Sequence, residues 1–318
     1  MNITLVIAEK EPHVSQDAVD EFQNSILATK GLRIARNRFP FFARIVWKLL
    51  RSNLLAKALK YLRLTNQRYF IILMGSEFVK CVPFFASSRD NALYIFDAWP
   101  SVHQLIEDSL PLLHIRTVFF SSLQATEIFS AKPALKCKFI WVPEGIDVTL
   151  YRRRELRERD IDVIQMGRKH DGYHTAIIEK LCEKGKTYLF EKVRGEVIFP
   201  TREGFIDGLS RSKISICVPS CLTHPERSGD ISTMTLRYLQ SMASGCLIVG
   251  VRPYDMQFLF DHNPVVEIDF NDPAGQLLEI LDKIDQYSSL IDRNYHAVRD
   301  NHTWIHRWED IRHRLSQE

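Results

Sequence analysis

The sequence predicts an α/β fold made of two successive halves, each built on a parallel sheet with helices on both faces. Short apolar runs suited to buried strands alternate with segments of helical periodicity, which is the pattern of such a sheet. A densely charged stretch at 151–160 interrupts the alternation, and a new strand starts at Asp162. Because domain boundaries fall in exposed polar segments, we expect this stretch to be solvated and to mark a boundary. The 318 residues suffice for two cores.

Each half contains several predicted strands and helices, taken from the apolar runs and from the helical period. The predicted strands of the first half are 2–9, 69–75, 92–97, 118–122 and 138–142, and its predicted helices are 15–30, 41–64 and 123–130. The predicted strands of the second half are 162–166, 187–190, 214–218, 246–250 and 265–268. Its predicted helices are 172–184, 201–210, one from Thr233, 254–260, one after Pro273, and 302–315.

The composition is that of a folded protein of the reducing cytoplasm. Apolar residues make up 45% and charged residues 25%, which excludes wholesale disorder. No apolar run approaches the ~20 residues that span a bilayer, and the run at 3–8 lacks the basic region of a signal peptide. The six cysteines are scattered, which predicts buried thiols rather than disulfides or a zinc site. The patterns of dehydrogenases, nucleoside triphosphatases, metalloproteases and serine hydrolases do not occur.

The stretch 224–250 has the pattern of an anion-binding loop and helix. A polar loop leads to a helix, for which Ser232 and Thr233 are candidate N-caps, and Gly245 ends the helix before a buried strand. Hydroxyls and two arginines, Arg227 and Arg237, flank the helix start, where unpaired N–H groups and the helix dipole favour an anion. The alternative interpretation is an ordinary capped helix, with both arginines in surface ion pairs.

The segment TLRYLQSMASGCLIVG at 235–250 resembles the nucleotide-sugar-binding segment of GT-B glycosyltransferases of the group 1 type. In that family the helix N-terminus holds the diphosphate and a helix glutamate binds the ribose. Gln240 stands at the position of that glutamate, and Ser232 stands where retaining members carry a second one. The Arg-x-x-Gln form is closer to a branch that acts in bacterial surface polysaccharide synthesis. Pro143 to Asp147, PEGID, resembles the junction between the two domains of the family.

The resemblance implies a cytoplasmic enzyme that moves a sugar from a nucleotide-sugar to a glycan or lipid-linked acceptor, without a metal or other cofactor. It also implies two Rossmann-like domains that face each other across a cleft, at 1–147 and 148–290, with C-terminal helices at 291–318 that return to the first domain. A non-catalytic GT-B-like binding protein is the alternative, because the two glutamates are absent. The implied donor-binding residues are Gly167, Arg168, Arg227, Ser232, Thr233, Thr235, Arg237 and Gln240.

The family carries a Gly-Arg pair after the first strand of its second domain, and a lysine five residues after the arginine. Gly167 and Arg168 match the pair, whereas Tyr173 occupies the lysine position. An arginine can pair bidentately with phosphate, so Arg237 could replace the missing lysine, with Arg227 as the second choice. Lys169 is interpreted as a solvated side chain.

Two residues of the first half are candidates for the catalytic base. Asp97 ends a predicted strand, at the sheet edge where α/β proteins bind ligands, and His103 follows in the same loop. The alternatives are a loop or N-cap carboxylate and a structural histidine. His170 and His174 have a spacing that also permits metal binding on a helix, but no further ligand pattern supports it.

The strongest charge asymmetry lies between Glu21 and Glu77, where no acidic residue occurs. Residues 30–68 hold eleven lysines and arginines interleaved with aromatic and aliphatic residues. Such a basic amphipathic segment fits the surface of an anionic membrane, so we expect peripheral binding to the inner face of the cell membrane. The alternative is an apolar stripe, containing Phe42, Ile45 and Leu49, that packs on the sheet and leaves the basic face in solvent. Nucleic-acid binding is not expected, because no recognition motif is present.

Overall fold

The computed structural model describes residues 3–8, 16–37, 40–52, 65–167, 169–193 and 196–317. The chain forms two compact units. Unit 1 comprises Met1–Pro143, Arg227–Ile231 and Arg307–Glu318, and unit 2 comprises Glu144–Glu226 and Ser232–His306. The domain boundaries predicted at 147 and 290 stay predictions; within the predicted C-terminal segment, residues 307–318 belong to unit 1.

Unit 1 contains a six-stranded parallel sheet in the order β2-β1-β3-β4-β5-β6. The five strands predicted for the first half are confirmed. Strand β2 was not predicted, because Arg-Ile-Ala-Arg is short, carries two charges, and is largely exposed at the edge of the sheet beside β1. The strands are β1 (Ile3–Ile7), β2 (Arg33–Arg36), β3 (Arg68–Met74), β4 (Asn91–Phe96), β5 (Ile115–Phe120) and β6 (Lys138–Trp141).

Helices cover both faces of this sheet, so that β4 is buried along its whole length. The helices of unit 1 are α1 (Asp17–Leu27), α2 (Pro40–Arg51), α3 (His103–Leu112) and α4 (Leu123–Ser130). Helix α2 confirms the first part of the helix predicted at 41–64; residues 53–64 lie outside the described residues, together with Arg38. Four of the eleven basic residues of the segment 30–68 are therefore not described.

Unit 2 contains a five-stranded parallel sheet in the order β11-β10-β9-β7-β8, and the predicted restart of the α/β pattern is confirmed. Its strands are β7 (Ile161–Gln165), β8 (Tyr188–Phe190), β9 (Ser212–Cys217), β10 (Leu247–Gly250) and β11 (Val266–Glu267). Its helices are α5 (Asp171–Glu183), α6 (Arg202–Ser210), α7 (Leu236–Ala243), α8 (Pro273–Asp282) and α9 (Ser288–Asn301), followed by α10 (Trp304–Ser316). The predicted helix at 254–260 is a 3₁₀ helix over Tyr254–Phe258.

The junction segment pairs with the chain just before α10. The N–H of Ile146 donates to the carbonyl of His302, and the N–H of Trp304 donates to the carbonyl of Ile146. A Cβ atom at Gly145 would lie 2.9 Å from backbone atoms of Thr303 and Trp304. Only glycine permits so close an approach of two backbones, which explains the glycine of the PEGID segment.

The C-terminal part of α10 completes the core of unit 1, as the returning helix of the predicted fold does. Trp308 is fully buried, with its ring 5.5 Å from that of Phe70 on β3. Arg68 also donates a hydrogen bond of 2.7 Å to the carbonyl oxygen of Leu315.

Candidate functional site

Two residues predicted to bind the donor lie together at the end of β7, in unit 2. Gly167 has a φ of +68°, and a Cβ atom there would lie 3.7 Å from Nη1 of Arg237. This Nη1 donates a hydrogen bond of 2.9 Å to the carbonyl of Met166. It is the only hydrogen bond of the guanidinium to the described residues, so Nε and Nη2 remain available to an anion. Arg168, predicted beside them, lies outside the described residues.

Helix α7 starts at Leu236 rather than at Thr233, and it has no side-chain cap. Thr235 occupies the N-cap position without a capping hydrogen bond, and its buried Oγ1 has no partner among the described residues. The prediction that Ser232 or Thr233 caps the helix is therefore wrong. Because no side chain accepts from the first turn, its N–H groups present the partial positive charge of a helix N-terminus.

The hydroxyls of Ser232 and Thr233 instead bond to the segment after β10. Ser232 Oγ accepts a hydrogen bond of 3.2 Å from the N–H of Tyr254. Asp255 accepts from Thr233 Oγ1 at 2.5 Å and from the N–H of Met234 at 2.7 Å. Burial raises the pKa of Asp255 to about 6, although these hydrogen bonds act in the opposite direction. Asp255 was not predicted as a site residue; its position after a parallel strand, at the ligand-binding edge, is the signal that could have identified it.

Gln240, predicted to bind the ribose, is buried in α7. Its Nε2 donates a hydrogen bond of 3.1 Å to the hydroxyl of Tyr151. Tyr151 and Arg159 are buried as well, so the expectation that the stretch 151–160 is solvated is wrong for these two residues. An amide can exchange one partner for another, and Gln240 keeps an oxygen atom that can accept from a hydroxyl.

Tyr173, at the position of the family lysine, is not a phosphate ligand in this structure. Its ring is buried in the core of unit 2, and its hydroxyl has no partner among the described residues. Lys169 is not simply solvated, contrary to expectation. Its Nζ donates a hydrogen bond of 2.6 Å to the carbonyl of Glu191 and lies 4.9 Å from the centre of the Phe190 ring. These contacts hold the ammonium in place.

The two histidines of α5 have structural partners. His170 is the N-cap, and its Nδ1 accepts from the N–H of Tyr173. Nδ1 of His174 lies 2.8 Å from the hydroxyl of Tyr188, which donates to Gln165. Burial is the main cause that lowers the pKa of His174. Within the part of the chain that the structure describes, no group of three or more His, Cys, Asp or Glu side chains is arranged to hold a metal ion.

In unit 1, the candidate base Asp97 lies beside Arg227. Asp97 follows β4 with a φ of +50°, and its Oδ2 is 3.3 Å from Nη2 of Arg227. Arg227 belongs to the short segment Arg227–Ile231 that packs in unit 1, where Gln124 reaches the carbonyl of Asp230. The structure thus places Arg227 with a predicted catalytic residue, and in a different unit from Gly167 and Arg237.

His103, the other candidate base, begins α3 and is half-buried. Its Nε2 donates a hydrogen bond of 2.9 Å to the carbonyl of Ala98, and its ring lies against Phe129. Burial is the main cause that lowers the pKa of His103, so the neutral ring is favoured. Because Nε2 holds the proton on Ala98, only Nδ1 could accept one.

Solved structures provide the comparison that decides the fold. HepE of Anabaena, crystallised with UDP and glucose, is similar over 100% of both chains, with a TM-score of 0.61 and 10% identity. A sucrose-phosphate synthase of Thermosynechococcus elongatus is similar over 99% of this chain and 98% of its own, with a TM-score of 0.60 and 11% identity. A glycosyltransferase of Rickettsia africae has a TM-score of 0.53 and 10% identity over 98% and 96% of the two chains.

The chain has the GT-B fold. The two parallel sheets with flanking helices and the returning C-terminal helix are the features of this fold that were predicted. No family model matches the sequence, and no curated protein matches it. None of the helices of this GT-B chain, within the described residues, is long and apolar enough to cross a bilayer.

Proposed function

We propose that the protein is a glycosyltransferase that takes its sugar from a nucleotide-sugar donor. The observation that carries the proposal is the group at the start of α7 in unit 2. Arg237 lies against Gly167 with part of its guanidinium available, and the uncapped helix N-terminus lies one residue before it. Hydrogen-bond donors such as a guanidinium and helix N–H groups bind a diphosphate and stabilise the charge that develops on it as the sugar leaves. HepE, which was crystallised with UDP and glucose and also with UDP alone, supports a nucleoside diphosphate as ligand.

Replacing Arg237 by alanine is expected to weaken the binding of UDP by ten- to a hundredfold. The change removes a charge-assisted hydrogen bond to phosphate, which contributes ~1.5–3 kcal/mol. The affinity is measured by isothermal titration calorimetry. Arg152→Ala is the matched control, because Arg152 is an exposed arginine of the same unit. An unchanged affinity in a folded Arg237→Ala variant, or an equal loss in the control, contradicts the assignment of Arg237.

Turnover separates the enzyme from a non-catalytic binding protein of the same fold. Release of UDP from UDP-sugars, with glycan and lipid-linked acceptors, is expected for the enzyme. The metal-free mechanism remains a proposal, and the assay is therefore run with EDTA and again with added Mg²⁺ or Mn²⁺. Asp97 and His103 are the candidates for the base. UDP binding without release under any of these conditions favours the non-catalytic alternative.

We further propose that the acceptor is glycan or lipid-linked, belongs to bacterial surface polysaccharide synthesis, and is met at the inner face of the cell membrane. Helix α2 supports this location. Ala43 and Leu50 are buried, and Trp47 stacks on Phe78, so one side of the helix packs in the core of unit 1. Phe42, Ile45 and Leu49, the described residues of the predicted stripe, are not on that side. Phe41, Phe42, Ile45 and Leu49 are 75%, 55%, 41% and 41% exposed.

The exposed side of α2 also carries positive charge. Arg44, Lys48 and Arg51 are exposed there, and no carboxylate occurs anywhere between Glu21 and Glu77 to balance them. A helix that presents aromatic side chains and cations together fits the interface of an anionic bilayer. The alternative, in which the stripe packs on the sheet, does not hold for Phe42, Ile45 and Leu49.

The triple variant Arg44→Gln, Lys48→Gln, Arg51→Gln is expected to lose most binding to anionic vesicles. Each cation near the surface contributes about 1 kcal/mol, so the partition coefficient should fall roughly a hundredfold. Co-sedimentation with vesicles of phosphatidylcholine and phosphatidylglycerol measures it, at low and high salt. The control removes three exposed cations of unit 2 by Arg152→Gln, Lys184→Gln and Lys192→Gln. Equal binding to pure phosphatidylcholine, or unchanged binding of the α2 variant, excludes this docking face.

A further inference from the structure

Unit 1 has a cavity at the sheet edge opposite the candidate catalytic residues. It has a volume of about 760 Å³ and is lined by residues at the amino ends of β3, β4, β5 and β6, which are neighbours in the sheet. Asp97 and His103 follow the carboxyl end of β4 instead. In a parallel sheet the two ends of the strands lie at opposite edges, so the cavity is separate from that group.

The lining of this cavity is strongly basic. One carboxylate, Asp90, faces five cations, and Asp90 is already paired with Arg68 at 2.6 Å. Arg68 is in turn held by Asp90 and by the carbonyl of Leu315, so it belongs to the wall of the cavity. The other four cations of the lining are Arg89, Arg116, Lys136 and Lys138.

Two of these cations are not engaged by the protein. Arg116 on β5 and Lys136 just before β6 are exposed, and neither makes a side-chain hydrogen bond or ion pair to any described residue. Strands β5 and β6 are adjacent, with Thr117 opposite Lys138, so both cations approach the cavity from neighbouring strands. A guanidinium binds phosphate oxygens bidentately, while an ammonium acts as a point charge, and the two complement each other on a polyphosphate.

We propose that this cavity binds a small anion with two or more phosphate groups. Its volume falls in the range of cavities that hold small molecules, about 300–1,000 Å³. Like charges gathered at one place repel each other and oppose folding, and a bound polyanion relieves that repulsion. The site is distinct from the group proposed for the nucleotide-sugar in unit 2, and it does not rest on the proposed transferase activity.

Inorganic tripolyphosphate is the probe, and Arg237→Ala is the background, so that the proposed nucleotide group contributes little. Calorimetry is expected to show one tripolyphosphate bound per chain. Adding Arg116→Gln and Lys136→Gln should lower the affinity about a hundredfold, since each change removes a charge-assisted contact that accounts for tenfold or more. The control pair Arg152→Gln and Lys184→Gln removes the same charge from exposed positions of unit 2 and should leave the affinity within about twofold.

Three outcomes overturn the proposal. The first is that tripolyphosphate does not bind in the Arg237→Ala background, and the second is that the control pair loses as much affinity as the double variant. The third is that a 20-residue oligothymidylate binds more tightly than tripolyphosphate and loses affinity in the Arg116→Gln, Lys136→Gln variant. The last result would assign the surface to a polyanionic chain instead. UDP affinity is measured on Arg116→Gln, Lys136→Gln with Arg237 intact and should be unchanged. A failure of the proposed polyphosphate site and a failure of the proposed function would therefore appear in different measurements.

Discussion

Replacing Arg159 by methionine is expected to lower the free energy of unfolding by about 3–5 kcal/mol. Arg159 is 4% exposed and stands in the stretch that was expected to be solvated. Its guanidinium donates to the carbonyls of Ser212 at 2.6 Å, Ser244 at 3.0 Å and Arg154 at 2.7 Å. It thereby joins the start of β9, the end of α7 and the stretch 151–160 within unit 2. Burial is the main cause that lowers the pKa of Arg159.

Methionine preserves much of the volume but removes the guanidinium donor from three carbonyls, two of them in buried contacts, and each unsatisfied buried group costs ~1–3 kcal/mol. Urea unfolding followed by circular dichroism and tryptophan fluorescence measures the loss. Arg154→Met is the matched control. Arg154 pairs with Asp207 at 2.6 Å, but its side chain is 39% exposed, so the expected loss is within ~1 kcal/mol. Similar losses in the two variants would show that the buried contacts of Arg159 contribute no more than a surface pair.

The stability of the wild type relative to Asp255→Asn is expected to fall by about 2 kcal/mol between pH 4 and pH 7. The pKa of Asp255 is about 6 in the folded chain, above the ordinary value of 3.8. Between these two pKa values the unfolded chain has mostly lost the proton while the folded chain still holds it. The folded state therefore binds more protons, and its stability falls as the pH rises. Asparagine does not titrate, can still accept from Met234, and can donate to the Thr233 hydroxyl.

Unfolding free energies of both proteins at several pH values give the difference directly. Asp160→Asn is the control, because a hydrogen bond from Arg211 lowers the pKa of Asp160 to about 2. Its contribution changes below the window, so the difference from the wild type should stay flat between pH 4 and pH 7. A flat difference for Asp255→Asn would mean that the buried carboxylate is not held at a raised pKa.

The fold could be predicted because the central strands of its two sheets are buried on both faces. Apolar runs such as 69–75 and 92–97 can be recognised as strands from the sequence alone, since a strand covered on both faces is apolar throughout. Strand β2 escaped prediction for the opposite reason, since it lies at an edge and its side chains are largely exposed.

The candidate site was harder to predict, because its polar groups depend on distant partners. The hydroxyls of Ser232 and Thr233 have the local pattern of N-caps, yet Asp255, more than twenty residues away, takes the bond from Thr233. Arg227 adjoins the donor segment in sequence but pairs with Asp97, 130 residues earlier. The proximity of Gly167 and Arg237 was predictable, because the topology of an α/β sheet brings strand ends and helix starts together at one edge.

The composition of unit 1 has a consequence for how the protein is made. The strands of its sheet all lie before residue 143, but Trp308 and the other residues of 307–318 also belong to unit 1. A ribosome adds ~5–20 residues per second, so Trp308 follows the last strand of the sheet by about 10–30 s, and its contact with Phe70 cannot form before then. Unit 1, whose strands are synthesised first, is therefore completed after unit 2. Removing residues 307–318 would therefore leave the core around Phe70 incomplete.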